Sequence, residues 1–306
     1  MWRAMTPEDW TKGRRSSLEG ATESARRIVD DVRLRGDAAL IELTEKFDKV
    51  KLDHVRVPDK EISRAYDRVP MEMVDHLRLA ARNIRRFHEM QGRPPLWMRE
   101  IVDGVKAGVK VVPLKRAGAY IPGGRASYPS TALMCCIPAS VAGVDEIVCC
   151  TPPPVNPLTL VALDMGGADV ICQVGGAQAI AAMALGTASV PKVDKIVGPG
   201  NIYVTAAKML LREEAEIDFP AGPSEIAILA DDSAVPEYIA ADILAQAEHD
   251  PNSACALVSL DPSLPEKVGK YLAEMLAVSP RREILEKSLD NCGWLLAAGN
   301  WQTAPA

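Results

Sequence analysis

The sequence of 306 residues has no uninterrupted apolar run of about 18 residues, the length that a membrane-spanning helix needs. It also lacks an excess of positive charge, since 35 lysines and arginines stand against 41 aspartates and glutamates and give a net charge of −6. Nucleic acids and anionic membranes bind to clustered positive charge, so we expect neither as a partner. The first residues have no apolar core of a signal peptide, and we expect a cytoplasmic protein.

Cysteine and histidine are present without the spacing of a metal or disulfide framework. The seven cysteines form no Cys-x-x-Cys motif, and four of them stand in adjacent pairs within apolar runs. This pattern is typical of small buried residues in a reducing compartment, which argues against a disulfide frame and against a zinc ribbon. Of the four histidines, only His249 is flanked by other polar side chains that could ligate a metal.

The sequence does contain a regular alternation of strand and helix patterns. Residues 21–47 predict two helices that are broken at Gly36-Asp37, residues 61–91 predict one long helix, and residues 104–115 predict a hairpin. From Gly118 to Ala297, eight short β-rich runs alternate with helical patterns. Such alternation is typical of an α/β protein with a mostly parallel sheet and helices on both faces.

Three glycine-rich segments follow predicted strands and are candidate walls of one binding crevice. They are Tyr120-Ile-Pro-Gly-Gly124, Gly175-Gly-Ala-Gln178 and Gly198-Pro-Gly-Asn201. At the carboxyl ends of parallel strands, glycine lets the backbone approach a ligand, and the following helix offers free N–H groups. The spacing of Gly175-Gly176 differs from the common dinucleotide fingerprint, however, and no acidic residue follows at the expected distance.

Each of these segments also has a purely structural interpretation. Tyr120 either stacks on a planar ring of a ligand or fills the core. The pair Gly175-Gly176 either cradles a ligand or only makes a tight turn, and Asn201 either reaches a ligand or caps its helix. The residues alone leave these alternatives open.

Two further segments contain candidate site residues. Pro251 ends a predicted helix, so that Gln246 and His249 lie three positions apart in its last turn. An amide oxygen and an imidazole form a candidate zinc pair, although two ligands do not make a site and the helix dipole alone also favours a histidine there. Ser224 follows a rigid turn at a predicted sheet end, but the surrounding sequence is not a nucleophile elbow, which argues against a serine nucleophile.

Taken together, these motifs resemble the histidinol dehydrogenase family. The similarity runs in order from about residue 20 to residue 260 and includes Gly36-Asp-Ala-Ala-Leu40 and Lys46-Phe-Asp48. The resemblance implies a homodimeric enzyme, dependent on zinc (Zn²⁺) and NAD, that oxidises L-histidinol to L-histidine through the aldehyde at the end of histidine biosynthesis. It implies that NAD is contacted by Tyr120, Gln178 and Asn201, the substrate by Ser224, Gln246 and His249, and zinc by Gln246 and His249.

The resemblance also points to motifs that these 306 residues do not contain. Members of the family carry an Ala-Pro-Glu-His-Leu motif for acid–base chemistry, and a later Asp and His that complete the zinc shell, the His from the dimer partner. Neither is found here, so no catalytic residue is assigned to this chain. Because each acid or base contributes about 10²–10⁴-fold, we expect little or no histidinol oxidation by these residues alone, and a weakened dimer.

The resemblance implies a division into two Rossmann-like domains. Residues 1–17 would be a helical N-terminal arm, residues 116–227 a domain on the NAD side, and residues 18–115 with 228–306 a discontinuous second domain. Two other functions stay open. One is a zinc-dependent dehydrogenase of another polyol or a sulfonated diol on the same scaffold, and the other is a non-catalytic, truncated nucleotide-binding product.

Overall fold

The computed structural model describes residues 2–92, 94–123, 127–220, 225–251 and 253–296, and for residues 7–19 it describes the backbone only. Within these ranges the chain is an α/β protein with mostly parallel sheets, which confirms the predicted fold class. The chain forms two compact units. The larger comprises Ala21–Pro220, and the smaller comprises Met1–Gly20 together with Ala221–Ala306.

The bounds of the elements are as follows. The helices are α1 (Pro7–Arg35), α2 (Asp37–Asp48), α3 (Asp59–Arg68), α4 (Met71–Met90), α5 (Pro129–Val141), α6 (Pro157–Gly166), α7 (Gly176–Leu185), α8 (Ile202–Leu210), α9 (Pro236–Ala247), α10 (Leu264–Val278) and α11 (Arg282–Leu289). The strands are β1 (Arg3–Ala4), β2 (Leu96–Val102), β3 (Val105–Lys110), β4 (Arg116–Tyr120), β5 (Glu146–Cys150), β6 (Val170–Cys172), β7 (Lys195–Val197), β8 (Glu216–Ile217), β9 (Glu225–Ala230), β10 (Ala254–Ser259) and β11 (Gly293–Leu296).

The larger unit is built on a parallel five-stranded sheet in the order β6-β5-β4-β7-β8. The chain adds β5 and β6 on one side of β4, and then returns to add β7 and β8 on the other side. The direction of winding therefore reverses between β4 and β7. In open sheets of this kind, ligands bind outside the carboxyl ends of the strands at such a switch point.

Helices cover both faces of this sheet. On β5, Cys149 and Cys150 are fully buried and contribute to separate core clusters, because successive side chains of a strand point to opposite faces. The cluster that contains Cys150 also contains residues of α1, α2, α7 and α8. The cluster that contains Cys149 contains residues of α3, α4, α5 and α6. Burial on both faces explains why the sequence of β5 is a continuous apolar run and does not alternate.

The compact units are divided differently from the predicted domains. The prediction grouped residues 18–115 with residues 228–306. In the structure, Ala25, Val29 and Leu40 are buried in the same cluster as Val148 of the five-stranded sheet, which places the helices of the N-terminal third in the larger unit. Residues 1–17 contribute β1, which pairs with β11, and the start of α1.

Two local predictions in the N-terminal third were wrong. The single helix over residues 61–91 is two helices, α3 and α4, because Pro70 has no N–H to donate and holds Val69 in an extended conformation (φ −100°, ψ 127°). The hairpin extends further upstream than predicted, since its first strand β2 begins at Leu96, and the turn lies at Asp103-Gly104. The break between α1 and α2 at Gly36 is confirmed.

The smaller unit has a parallel sheet in the order β1-β11-β10-β9. Its core includes Ile243 of α9, Leu257 of β10 and Val268 of α10, all fully buried. In the described part of the chain, no helix is both long and apolar enough to cross a membrane.

Candidate functional site

The switch point of the larger unit is lined by two of the three predicted glycine segments. Tyr120 is the last residue of β4, and Gly198 directly follows β7, the strand that pairs with β4. The third segment, Gly175-Gly176, follows β6 at the same carboxyl edge and leads into α7. Gly124 of the first segment lies outside the described residues.

Tyr120 lies between the two glycine turns. Its hydroxyl accepts a hydrogen bond from the N–H of Gly176 (3.1 Å), and a β-carbon at Gly198 would overlap its carbonyl oxygen. The ring is only 4% exposed, and this burial raises the pKa of the phenol to about 12. Burial favours the core-filling interpretation of the ring. The hydroxyl lies at the first turn of α7, where it accepts the N–H of Gly176.

Gln178 is buried in the first turn of α7, with 2% of its surface exposed. Gly176 has φ +65°, and a β-carbon there would lie 2.8 Å from the Gln178 side-chain oxygen. A β-carbon at Gly175 would collide with the ring of Pro152. Gly175 is therefore required by close packing, and Gly176 is required by its positive φ. The structure brings the amide of Gln178 and the Tyr120 hydroxyl to the same helix start.

Asn201 caps α8. Its side-chain oxygen accepts from the N–H groups of Tyr203 (3.0 Å) and Val204 (3.1 Å), while the residue itself is exposed. The cap interpretation is thus confirmed. It does not exclude the ligand interpretation, because the cap uses the oxygen and a contact with a ligand would be made by the amide NH₂ group.

Sequence reasoning missed two residues that hold the turn after β7. Lys208 of α8 is buried, and its ammonium group donates to Asp218 Oδ1 (2.8 Å) and to the carbonyl oxygen of Gly198 (2.6 Å). Asp218, just after β8, accepts the N–H of Gly198 at its other carboxylate oxygen (2.9 Å). The available signal was a lysine on the buried side of an apolar helix, preceded by Ala206 and Ala207.

The remaining predicted site residues belong to the smaller unit. Helix α9 ends at Ala247, so His249 follows the helix and does not belong to its last turn as predicted. Its backbone N–H donates to the carbonyl oxygen of Gln246 (3.3 Å), which keeps the two residues one turn apart. The side-chain nitrogen of Gln246 is buried without a hydrogen-bond partner, whereas His249 is exposed. Ser224 lies outside the described residues.

These residues do not by themselves fit a zinc ion. Zinc in proteins usually takes four ligands, or three with a water. In the described ranges, no group of three or more His, Cys, Asp or Glu side chains is placed to hold a metal. Gln246 and His249 could supply at most two ligands. The unpartnered, buried nitrogen of Gln246 does not favour a metal either, because an amide NH₂ group donates a hydrogen bond and calls for an acceptor.

The strand order and the two glycine turns define the larger unit as a doubly wound, Rossmann-type α/β unit with a switch point at the carboxyl edge of its sheet. Comparison with known proteins gives the family. The family model for histidinol dehydrogenase matches residues 11–306. The chain belongs to the histidinol dehydrogenase family.

Individual relatives agree with this assignment. The chain is 50% identical over 288 residues to a histidinol dehydrogenase of Methanosarcina mazei, covering 93% of this chain and 66% of that protein. It is 52% identical over 273 residues to one of Methanothermobacter thermautotrophicus, covering 88% and 64%. A crystal structure of histidinol dehydrogenase from Elizabethkingia anophelis superposes with a TM-score of 0.84 at 34% identity, covering 97% of this chain and 70% of that one. This chain thus spans about two thirds of the length of the curated relatives that it matches.

Proposed function

We propose that this chain provides the NAD-binding part of a histidinol dehydrogenase, an enzyme that oxidises L-histidinol to L-histidine. NAD would bind at the carboxyl edge of the five-stranded sheet, where the winding reverses between β4 and β7. The observation that carries the proposal is the meeting of both glycine turns at Tyr120 on that edge. When bound, NAD supplies the hydride acceptor, and the protein has only to hold and orient it.

Each proposed contact has a definite donor or acceptor. The start of α7 offers backbone N–H groups to an anionic pyrophosphate, and the starts of both α7 and α8 present the positive ends of their helix dipoles. The hydroxyl of Tyr120 and the amide of Gln178 flank the start of α7, and the amide NH₂ group of Asn201 flanks the start of α8. The cap on α8 fixes the direction of that amide, because its oxygen is tied to two backbone N–H groups.

The metal part of the proposal rests on the family alone, and the substrate part rests on the family and on one structural observation. Ser224, Gln246 and His249 would contact L-histidinol, and Gln246 and His249 would supply two of the zinc ligands. The buried, unpartnered NH₂ group of Gln246 supports a ligand that accepts a hydrogen bond at that position. The homodimer and the cytoplasmic location are proposed from the family alone.

Calorimetric titration of the purified chain with NAD tests the proposal. We expect saturable binding of one NAD per chain. The informative variant is Asn201→Ser, which keeps a cap oxygen and removes the amide NH₂ group. Since a lost hydrogen bond of this kind costs about 0.5–1.5 kcal/mol, its Kd for NAD should rise by about three- to tenfold.

Asn156 offers a matched control. It caps α6 in the same way, with its side-chain oxygen accepting from the N–H of Leu158 (2.8 Å). Asn156→Ser should change helix stability as little as Asn201→Ser does, and should leave the Kd for NAD unchanged. If the wild-type chain does not bind NAD at millimolar concentration, or if both serine variants weaken binding equally, the proposed contact is wrong.

A further inference from the structure

The ammonium group of Lys208 is buried, where the desolvation of a charge costs free energy. The residue is 1% exposed, on a helix whose other buried residues are Val204, Thr205, Ala206 and Ala207. A buried lysine of this kind requires a counter-charge and hydrogen-bond acceptors for its donors. Asp218 Oδ1 at 2.8 Å provides the charge, and the Gly198 carbonyl oxygen at 2.6 Å provides a second acceptor.

Asp218 completes the arrangement from the other side. Its Oδ2 accepts the N–H of Gly198 at 2.9 Å, and its Oδ1 also accepts the N–H of Phe219 at 2.8 Å. The pair therefore holds both the N–H and the C=O of Gly198, the first residue of the turn after β7. Gly198 has φ +109° and its backbone lies against that of Tyr120, so the turn has little freedom to move elsewhere.

A contribution to the free energy of unfolding does not by itself explain why the chain contains this buried ion pair. Replacing a buried ion pair with apolar side chains of similar volume is often neutral or stabilising, because the desolvation of both charges offsets their attraction. What an apolar pair cannot do is bind both polar groups of one glycine. The pair is thus better suited to fixing the conformation of the turn than to stabilising the fold.

We infer that Lys208 and Asp218 are positioning residues for nucleotide binding. They fix Gly198 and so set the direction in which Pro199, Gly200 and the cap Asn201 leave β7. The N–H and C=O groups of Gly198 are both hydrogen-bonded to the pair, which fixes the orientation of this residue. The inference rests on the proposed NAD site, but the conformation of the turn can be measured without any ligand.

The variant Lys208→Met tests this inference, with Lys192→Met as the matched control. Lys192 also pairs with a carboxylate, that of Glu214 (3.3 Å), but its side chain is 50% exposed. Three quantities would be measured on each chain: the urea midpoint, the Kd for NAD, and amide hydrogen exchange of residues 200–204 relative to α7. We expect Lys208→Met to raise the Kd by about tenfold or more and to speed amide exchange at residues 200–204 selectively. Lys192→Met should do neither.

The outcomes distinguish the positioning role of the pair from the proposed NAD binding on which it rests. If Lys208→Met shifts only the urea midpoint, with Kd and relative exchange as in the wild type, the pair is merely structural and the inference is wrong. If the wild-type chain binds no NAD, the proposed function fails, and selective exchange at residues 200–204 in Lys208→Met still decides whether the pair holds the turn. Should Lys208→Met not fold, Asp218→Asn keeps the side-chain size and one acceptor, and the same selective effects are expected from it.

Discussion

The two glycine turns at the edge of the five-stranded sheet are held by different forces. The turn after β6 is held by packing: Gly175 lies against Pro152, Gly176 lies against Gln178, and the helix that follows is buried throughout. The turn after β7 is held by charge, because a buried lysine and an aspartate hold both polar groups of Gly198. Tyr120 touches both turns, with its hydroxyl on the first and its carbonyl on the second.

The difference shows what each turn can contribute to a ligand site. A turn fixed by van der Waals contacts presents one rigid surface, because buried atoms at packing density leave no room for rearrangement. A turn fixed by hydrogen bonds to a charged pair keeps an exposed outer side, and Asn201 lies there. We therefore expect the turn after β6 to set the shape of the site. We expect the turn after β7 to supply the contact from Asn201, whose direction depends on the conformation of that turn.

The largest effect should come from Gly198→Ala. The new β-carbon would overlap the carbonyl oxygen of Tyr120 at a φ of +109° that alanine rarely adopts. Strain and overpacking together should lower the free energy of unfolding by about 3–5 kcal/mol, measured by urea denaturation. The control is Gly104→Ala, since Gly104 has φ +75° but open space around it, and only about 1–2 kcal/mol is expected there. Equal losses in the two variants would contradict the close approach to Tyr120.

A smaller loss of stability is expected from Lys208→Met. Removing one partner of a buried pair leaves an uncompensated carboxylate, although Asp218 keeps 20% exposure and two backbone donors. We expect a loss of about 2–4 kcal/mol in the free energy of unfolding. Lys192→Met removes an exposed pair and should cost at most about 0.5 kcal/mol. A loss below about 1 kcal/mol for Lys208→Met would show that charge does not hold the second turn.

The smallest effect should be that of Tyr120→Phe, and it should depend on pH. The variant leaves the N–H of Gly176 without its acceptor, which should cost about 1–2 kcal/mol near pH 8. In the wild type, the phenol has a pKa of about 12 when folded and about 10 when unfolded. The contribution of the neutral phenol to the free energy of unfolding is fully present below pH 10. It is lost as the pH rises towards 12, because only the phenol of the unfolded chain ionises in that window.

The stability difference between wild type and Tyr120→Phe should therefore shrink as the pH rises from 10 to 12. Urea denaturation of both chains at several pH values measures it. Tyr66→Phe is a useful second comparison, since Tyr66 also has a pKa of about 12 but pairs with Asp164, away from the two turns. A constant difference for Tyr120→Phe over this range would show that the phenol is not buried as described.

Much of the fold followed from local patterns. All eight strands predicted from Gly118 onward are present, and β7 has the predicted bounds of Lys195–Val197. Short apolar runs that end in glycine predict strands well, because the turn that follows a buried strand needs residues without a large side chain. The hairpin strand β2 was missed because its sequence, Leu-Trp-Met-Arg-Glu-Ile-Val, does not alternate between apolar and polar residues; exposure is not the reason, since β3 is equally exposed and was predicted.

The candidate site was only partly predictable. Tyr120, Gln178 and Asn201 were identified through a resemblance to the family, and their contacts with NAD stay predictions. The cap made by Asn201 followed from its position before a helix, since capping is a local interaction. The exposure of His249 beyond the end of α9 did not follow, because the last turn of a helix is set by packing as much as by sequence.

By itself, the sequence determined the alternation of strands and helices, the glycine turns and the capped start of α8, because each depends on residues that are close in the chain. Only the tertiary structure decided that Lys208 is buried, that Asp218 faces it, and that both hold Gly198. Lysine and aspartate are ordinarily surface residues, and whether their charges are buried depends on what packs around them. That information is spread over α8, β7 and β8, and no local pattern contains it.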